Sequence, residues 1–218
     1  MRALDLKLMR DLWRMRGQAL AIAVVLAAAS ATFILSAGVH RSMTITRDAY
    51  YATNHFTDVT ANMTRAPSSI VGRAARIEGV QEAQGSIIQY AILDYPDRVD
   101  AVRALLQSVD ENGRDRINVV TLKSGRMPAQ GQPGEVVIDE AFALANDVSE
   151  GHEVDAIIYG RKLRLKVVGV GLAPNYVNAL APGDIIPDDT RFGVLWIGRE
   201  ALEAATDRSQ AINTLTVK

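Results

Sequence analysis

Histidine and cysteine, the residue types most typical of metal and nucleophile sites, are scarce in this chain, and the spacing of the histidines matches no known kind of site. His40, His55 and His152 are its only histidines, and no two lie one helical turn apart, as the ligands of a helical zinc site do. Cysteine is absent, which excludes a disulfide framework and a thiol nucleophile. We therefore predict no metal site and no cofactor, and we interpret His152, beside Glu153, as part of a surface turn.

Carboxylates form two further candidate groups. Asp139 and Glu140 follow a predicted strand, where a carboxylate can act as a general acid or base. Because acidic side chains are also favoured at helix N-termini, we interpret this pair as the start and cap of the next helix. Asp184, Asp188 and Asp189 lie in a loop without the ligand spacing of an EF-hand, and we interpret them as solvated.

Nucleotide-binding and nucleophile motifs are also missing. Gly169, Val170 and Gly171 lack the third glycine and the following helix of a dinucleotide-binding fingerprint. The sequence contains no Walker A motif, no Gly-x-Ser-x-Gly elbow and no Ser-x-x-Lys pair. It therefore predicts that the chain is not an enzyme and that any nucleotide hydrolysis belongs to another polypeptide. The net charge of −1, without a block of like charges, gives no sign of a nucleic-acid partner.

The longest uniform feature of the sequence is a segment without charge at residues 17–39. A helix of this length rises about 35 Å, against a hydrocarbon core of about 30 Å. We therefore predict a transmembrane helix over 17–39. The alternative is a cleaved signal peptide, with a cleavage site at Ala29-Ser30-Ala31 or Ser36-Ala37-Gly38, although the apolar run is longer than in such peptides. In either case the remainder of the chain is exported.

Basic residues before this segment predict its orientation. They are Arg2, Lys7, Arg10, Arg14 and Arg16, against Asp5 and Asp11. Because such clusters stay in the cytoplasm, we expect the N-terminus on the cytoplasmic side of the cell membrane and residues 40–218 outside the cytoplasm. In the leader, 1–16, Leu4, Leu8 and Leu12 recur at helical spacing. They indicate either an amphipathic helix on the inner leaflet or the first turns of the transmembrane helix.

Residues 40–218 have the mixed pattern of an α+β fold. Strands are predicted at 56–63, 84–93, 117–122, 135–138, 192–197 and 212–217, and helices at 70–77, 139–146 and 199–206, while 102–109 fits either. Over 154–170, Leu163, Leu165 and Val167 alternate with basic residues after Gly160. This predicts a β-hairpin with one buried and one basic face. We expect a βαβ-containing lobe and a β-hairpin-rich lobe, and whether they share one core is left open.

Residues 173–190 form a long segment rich in Pro, Asn, Asp and Gly. Loops of this length are uncommon and are usually functional or mobile. We predict a partner-contact loop with candidate residues Pro174, Asn175, Tyr176, Asp184 and Asp188. The alternative is a loop that only connects surfaces of the outer domain.

Several short segments, in their order along the chain, resemble one protein family. They are Leu4-Asp5-Leu6-Lys7, Arg10-Asp11-Leu12, Gly125-Arg126-Met127-Pro128, Gly134-Glu135-Val136-Val137, Leu165-Lys166-Val167-Val168-Gly169-Val170, Pro174-Asn175-Tyr176-Val177 and Phe192-Gly193-Val194-Leu195-Trp196. The chain resembles the FtsX-like permeases of ATP-binding cassette transporters that carry a MacB-type periplasmic core domain.

This resemblance implies a permease subunit of the export or mechanotransmission type, whose extracytoplasmic domain couples cytoplasmic ATP hydrolysis to a substrate or partner in the envelope. The implied partners are a separate or fused cytoplasmic ATPase, a second permease subunit in a homo- or heterodimer, and an envelope adaptor or exported substrate. Because the later spans of the family are absent, we expect an N-terminal fragment of the permease. A single-pass membrane-anchored sensor or adaptor is the alternative, and the motifs do not favour an anchored envelope enzyme.

Overall fold

The computed structural model describes residues 3–95, 98 and 100–218, which form two compact units, Met1–Ala49 and Tyr50–Lys218. The first unit contains helix α1, Ala3–Arg14, and most of helix α2, Arg16–Thr53. Helical hydrogen bonding continues across Met15, whose N–H donates to the Asp11 carbonyl at 3.1 Å. The side chains of Leu4, Leu8 and Leu12 lie outside the described residues, so the amphipathic leader stays a prediction.

Helix α2 is longer than the segment without charge that predicted it. Its 38 residues rise about 57 Å, and none of them is buried. Among the described residues it is the one helix long and apolar enough to cross a membrane. The polar stretch from residue 40 to Thr53 therefore belongs to the same helix.

The second unit contains a small sheet of three strands. They are β1, Val59–Pro67, β2, Ala83–Ser86, and β10, Ala211–Val217, with the short helix α3, Ser69–Ala74, between β1 and β2. The order is β1-β10-β2, and β10 is antiparallel to both neighbours. β1 and β2 are therefore parallel to each other, and the predicted strand–helix–strand unit is present but split by the last strand of the chain.

The single strand predicted at 84–93 is wrong. The chain leaves the small sheet after β2 and enters the large sheet as β3, Ile88–Asp94. Between them Ile87 is fully buried and its N–H donates to Ser108 Oγ at 2.8 Å. One predicted strand segment therefore contributes to two sheets, and the periodicity of its side chains could not show the break between them.

The large sheet closes on itself. Its other strands are β4, Val102–Val109, β5, Thr121–Gly125, β6, Glu135–Asp139, β7, Glu153–Ile158, β8, Arg161–Leu172, and β9, Phe192–Gly198. Helices α4, Glu140–Ala145, and α5, Arg199–Thr206, follow β6 and β9. The order is β5-β8-β6-β9-β4-β3-β7, with β7 also paired to β8. Six strands thus form a closed ring, to which β5 adds an edge.

Apolar side chains fill the inside of this ring and also cover part of its outside. The inner core includes Leu106, Ile138, Leu165, Leu195 and Ile197, all fully buried, with Phe142 of α4 and Leu202 of α5 packed against it. A second cluster lies on the outer face of the central strands and is built around Trp196, Val194 and Leu105. β9 is buried on both faces, which explains its continuous apolar sequence.

The predicted hairpin is confirmed. Tyr159 and Gly160 both have positive φ, 48° and 75°, as a two-residue type I′ turn requires. Leu165 and Val167 are buried, but the basic face is partly neutralised. Arg164 and Lys162 pair with Asp155, at 3.1 Å and 3.3 Å.

We predict that Gly193→Ala destabilises the fold. A Cβ at this position would lie 2.5 Å from two ring atoms of Phe142, and both residues are buried. The added methyl group should lower the free energy of unfolding by about 1–3 kcal/mol, measured by urea denaturation of the full chain in detergent micelles. Gly72→Ala in α3 is the control, because its only near neighbour is the Arg76 guanidinium at 3.8 Å. It should leave stability unchanged or raise it; an equal loss in both variants would contradict the prediction.

Candidate partner-binding surface

The long loop at 173–190 divides into two parts with different surroundings. In the first part Ala173, Pro174 and Ala181 are buried, and a short 3-10 turn spans Pro174–Tyr176. The ring of Tyr176 lies 6.4 Å from that of Trp196, and burial raises the pKa of its hydroxyl. This part covers the outer face of the ring of strands.

The second part, residues 182–187, is exposed, and we call it the loop tip. Ile185 is 91% exposed and Ile186 73% exposed. Leu144 of α4 is also 80% exposed, and its neighbour Ala145 lines the same shallow depression as the tip. Large aliphatic side chains this exposed are unusual when they occur together, and such patches mark interaction sites.

Polar contacts hold the loop tip at both ends. Arg103 pairs with Asp184 at 3.0 Å, before the two isoleucines. Behind them, Asp188 Oδ1 accepts bonds from Thr190 N–H and Oγ1, at 3.1 Å and 2.6 Å. These bonds lower the pKa of the Asp188 carboxyl. Asn146 Nδ2 also donates to the Asp189 carbonyl at 2.9 Å. These contacts fix both ends of the loop tip and leave its two isoleucines exposed.

The structure thus separates the five predicted loop residues. Pro174, Asn175 and Tyr176 lie in the first part, and Asp184 and Asp188 support the loop tip. The sequence analysis overlooked Ile185 and Ile186. The sequence signal that could have revealed them is a pair of adjacent isoleucines among Pro, Gly and Asp. In such a loop segment, no neighbouring apolar residue is available to bury the pair.

A second group of polar residues lies where α2 ends. Asn54 is buried; its Oδ1 accepts a bond from Thr121 Oγ1 at 2.6 Å, and its carbonyl accepts one from Val119 N–H at 3.1 Å. Asn118 is buried with φ of 52°, and its Oδ1 accepts a bond from Thr57 N–H at 3.0 Å. We call these residues, 54–57 and 118–121, the helix joint. It ties the end of α2 to the start of β5.

Asp139 is the N-cap of α4, as predicted. Its carboxylate accepts bonds from the N–H groups of Ala141 and Phe142, at 3.1 Å and 3.3 Å. Burial nevertheless raises its pKa from 3.8 to about 6, because the charged form is poorly solvated there. Glu140 is half-buried and pairs with Lys123 at 3.6 Å.

The three histidines have different neighbours. His55 Nδ1 lies 3.9 Å from Glu82 Oε2, His152 stacks near Tyr95, and His40 is an exposed residue of α2. Within residues 3–95, 98 and 100–218, no three His, Asp or Glu side chains are grouped as metal ligands would be.

Arg126 and Glu135, two residues on which the family resemblance rests, contact each other. Arg126 Nη1 donates to Glu135 Oε2 at 2.6 Å, and its Nη2 donates to Oε1. The guanidinium holds the pKa of the Glu135 carboxyl below its usual range. At Gly125, φ is 73° and a Cβ would lie 2.3 Å from the Val168 carbonyl oxygen. The spacing of these residues is therefore explained by the ion pair and the close backbone approach that they make in the fold.

Comparison with known proteins finds solved structures that are similar to this chain. No family model matches the sequence, and no curated protein matches it. The chain is similar to the periplasmic region of MacB from Actinobacillus actinomycetemcomitans, with 18% identity and a TM-score of 0.47 over 73% of this chain and 72% of that one. It is also similar to the extracellular domain of the ABC-type transporter YknZ from Gram-positive bacteria, with 11% identity and a TM-score of 0.45 over 73% and 81%.

We predict that Asp139 makes the stability of the fold depend on pH. Between about pH 4 and 6 the folded chain keeps a proton that the unfolded chain has released, so the free energy of unfolding falls as pH rises through this window. Asp139→Asn retains a cap and cannot ionise. It should remove this slope and raise stability at neutral pH by at most about 3 kcal/mol, measured by urea denaturation across the window. Glu78→Gln, an exposed carboxylate that is not among the groups shifting Asp139, is the control, and an unchanged slope in Asp139→Asn would contradict the assignment.

Proposed function

We propose that this chain is the first span and extracytoplasmic domain of a permease subunit of an ATP-binding cassette transporter. In this proposal the chain catalyses no reaction itself. A cytoplasmic ATPase supplies the energy, a second permease subunit completes the membrane part, and the outer domain handles a substrate or adaptor in the envelope. The observation that carries the proposal is α2, one helix with an apolar half long enough for a bilayer and a polar half that continues into the outer domain.

The basic flank supports the direction of this helix. Lys7, Arg10, Arg14 and Arg16 precede the apolar half, and they are exposed. Clusters of this kind stay in the cytoplasm, so the outer domain lies on the side away from the ATP supply. The order of the segments that resemble the permease family supports the same assignment.

The helix joint supports a coupling role. A displacement of α2 reaches the outer domain only if the two are firmly connected where the helix ends. Asn54 and Asn118 provide hydrogen bonds from both side chain and backbone in a buried setting, where breaking them leaves costly unpaired polar groups. A motion of the helix is then transmitted to β5 and β8 rather than lost in a flexible linker, and the ATPase biases which arrangement is populated.

The loop tip is the surface we assign to the envelope partner. Ile185 and Ile186 supply the apolar anchors, and Asp184 and Asp188 hold them in place. A few exposed apolar residues on a rigid support are typical of the energetic centre of an interface. The plain alternative, a connecting loop, accounts for the first part of the loop but leaves the two isoleucines in water.

A single-pass sensor or adaptor remains the second candidate, because one membrane helix and an outer domain suit it equally. In a sensor, the cytoplasmic part would be a signalling module. The coding sequence beyond Lys218 separates the two candidates: further hydrophobic spans fit a permease, and a signalling domain fits a sensor.

The orientation can be tested with single cysteines, because the chain has none of its own. Ala52→Cys, exposed in the last turn of α2, should react with a membrane-impermeant maleimide in intact spheroplasts. Lys7→Cys, the matched control in the leader, should react only after the membrane is permeabilised. The reverse pattern would refute the proposed orientation, and a mature N-terminus beyond residue 39 would show a cleaved signal peptide.

The loop tip can be tested by photocrosslinking in living cells. A benzophenone side chain at Ile185 should give a discrete protein adduct, and the further change Ile186→Asp should abolish it because a charge cannot enter an apolar interface. The control position is Glu78, which is exposed away from the loop. Equal adducts at both positions, or an adduct that survives Ile186→Asp, would count against the loop tip as the contact surface.

A further inference from the structure

A cavity of about 530 Å³ lies where the small sheet faces the ring of strands. Its walls include Thr60 and Asn62 of β1, Gln89 and Tyr90 of β3, and the Asn175–Tyr176 pair of the long loop. Among the residues that the structure describes, none of those lining the cavity carries a charge. This volume lies in the range of ligand sites, and a charged ligand would be bound there without a counter-charge, at a high desolvation cost.

One carboxamide at this cavity already pairs with a peptide backbone. Asn213 Oδ1 accepts a bond from Ile88 N–H at 2.8 Å, and its Nδ2 donates to the Ile88 carbonyl at 2.8 Å. The side chain thus occupies the free edge of β3 as a neighbouring strand would. It also links β10 to β3, and so connects the two sheets.

The edge of β3 stays open beyond Asn213. Since N–H and C=O groups alternate sides along a strand, those of Tyr90 point to the same side as those of Ile88, away from β4. On that side β7 begins to pair with β3 only at Ile92. The Tyr90 carbonyl accepts a bond from Gln89 Nε2 at 2.9 Å, a side-chain contact that a guest can replace. An open edge of this kind pairs readily with an extended chain.

The opposite wall offers matching groups. Asn175 Oδ1 is buried and has no hydrogen-bond partner among the residues that the structure describes, so the cost of its desolvation is uncompensated. Rotation of the carboxamide toward the cavity would let it accept a bond from a guest N–H. Tyr90 is 47% exposed, and with Tyr176 it provides an aromatic surface for uncharged side chains.

We propose that this cavity binds an extended, uncharged stretch of polypeptide, whose backbone pairs with the open edge of β3 at Tyr90 and with the Asn175 carboxamide. This mode is strand addition, in which the main chain provides affinity and pockets select side chains. The site uses only residues of the second unit and does not depend on the membrane role proposed above.

The test uses the full chain in detergent micelles and the capped peptide Thr-Val-Thr-Val-Thr as the probe. We expect saturable binding by calorimetry and slower hydrogen exchange of the Tyr90 amide. The same peptide with an N-methyl group on every residue should not bind, because neither of its edges can then donate a hydrogen bond to β3. Asn175→Leu should weaken binding about five- to tenfold, as the loss of one hydrogen bond predicts.

The matched control is Asn178→Leu, an exposed carboxamide of the same loop that does not line the cavity; its affinity should equal that of the wild type. If Asn175→Leu unfolds, Gln89→Ala replaces it with the opposite expectation: it frees the Tyr90 carbonyl and should strengthen binding, with folding checked by thermal denaturation. Absence of saturable binding, equal affinity for the N-methylated peptide, or displacement of the probe by maltopentaose would overturn the proposal. The last result would assign the cavity to a neutral oligosaccharide instead.

Discussion

The pairing of β7 with β8 is the interaction on which the rest of the outer domain depends. Without it the seven strands would form an open sheet with one long exposed edge; with it, six strands close into a ring. Closure removes edges that would otherwise pair with other chains, and it creates an interior that apolar side chains such as Leu106 and Leu195 fill completely. The two-residue turn at Tyr159 and Gly160 makes this pairing local in sequence, so it is entropically inexpensive.

Because the sheet closes into a ring, the apolar side chains on its outer face need a separate cover. A ring has an outer face on every strand, and β9 presents Val194 and Trp196 there. The long loop supplies the cover through Ala173 and Tyr176, and only then extends outward as the loop tip. The loop is therefore long because it both completes a core and displays an apolar surface. The small sheet adds the other wall of the peptide cavity, held to the ring through the Asn213 carboxamide.

The proposed function requires a rigid connection from α2 through the helix joint to the ring of strands. The helix joint fixes the end of α2 to β5, β5 is hydrogen-bonded to β8, and β8 belongs to the ring. A movement entering at Asn54 is thus imposed on strands that share one packed interior, and packed interiors shift as units rather than deform continuously. Both surfaces assigned to partners, the loop tip and the cavity, lie on the same compact unit. In the proposed function, the domain transmits motion as one packed unit.

By itself, the sequence determined the features whose signals are local. Uncharged length predicts the helix at 17–39, strict alternation predicts the hairpin around Gly160, and an acidic residue before an apolar helix predicts the Asp139 cap; each is set by neighbours within a few residues. Only the tertiary structure decided that β10 lies between β1 and β2, that the predicted strand segment around Ile87 contributes to two sheets, and that Tyr176 is core while Ile185 is exposed. The physical reason is that strand partners and the coverage of an outer face are chosen among segments far apart in the chain, and periodicity records only that a side chain needs burial, not which surface buries it.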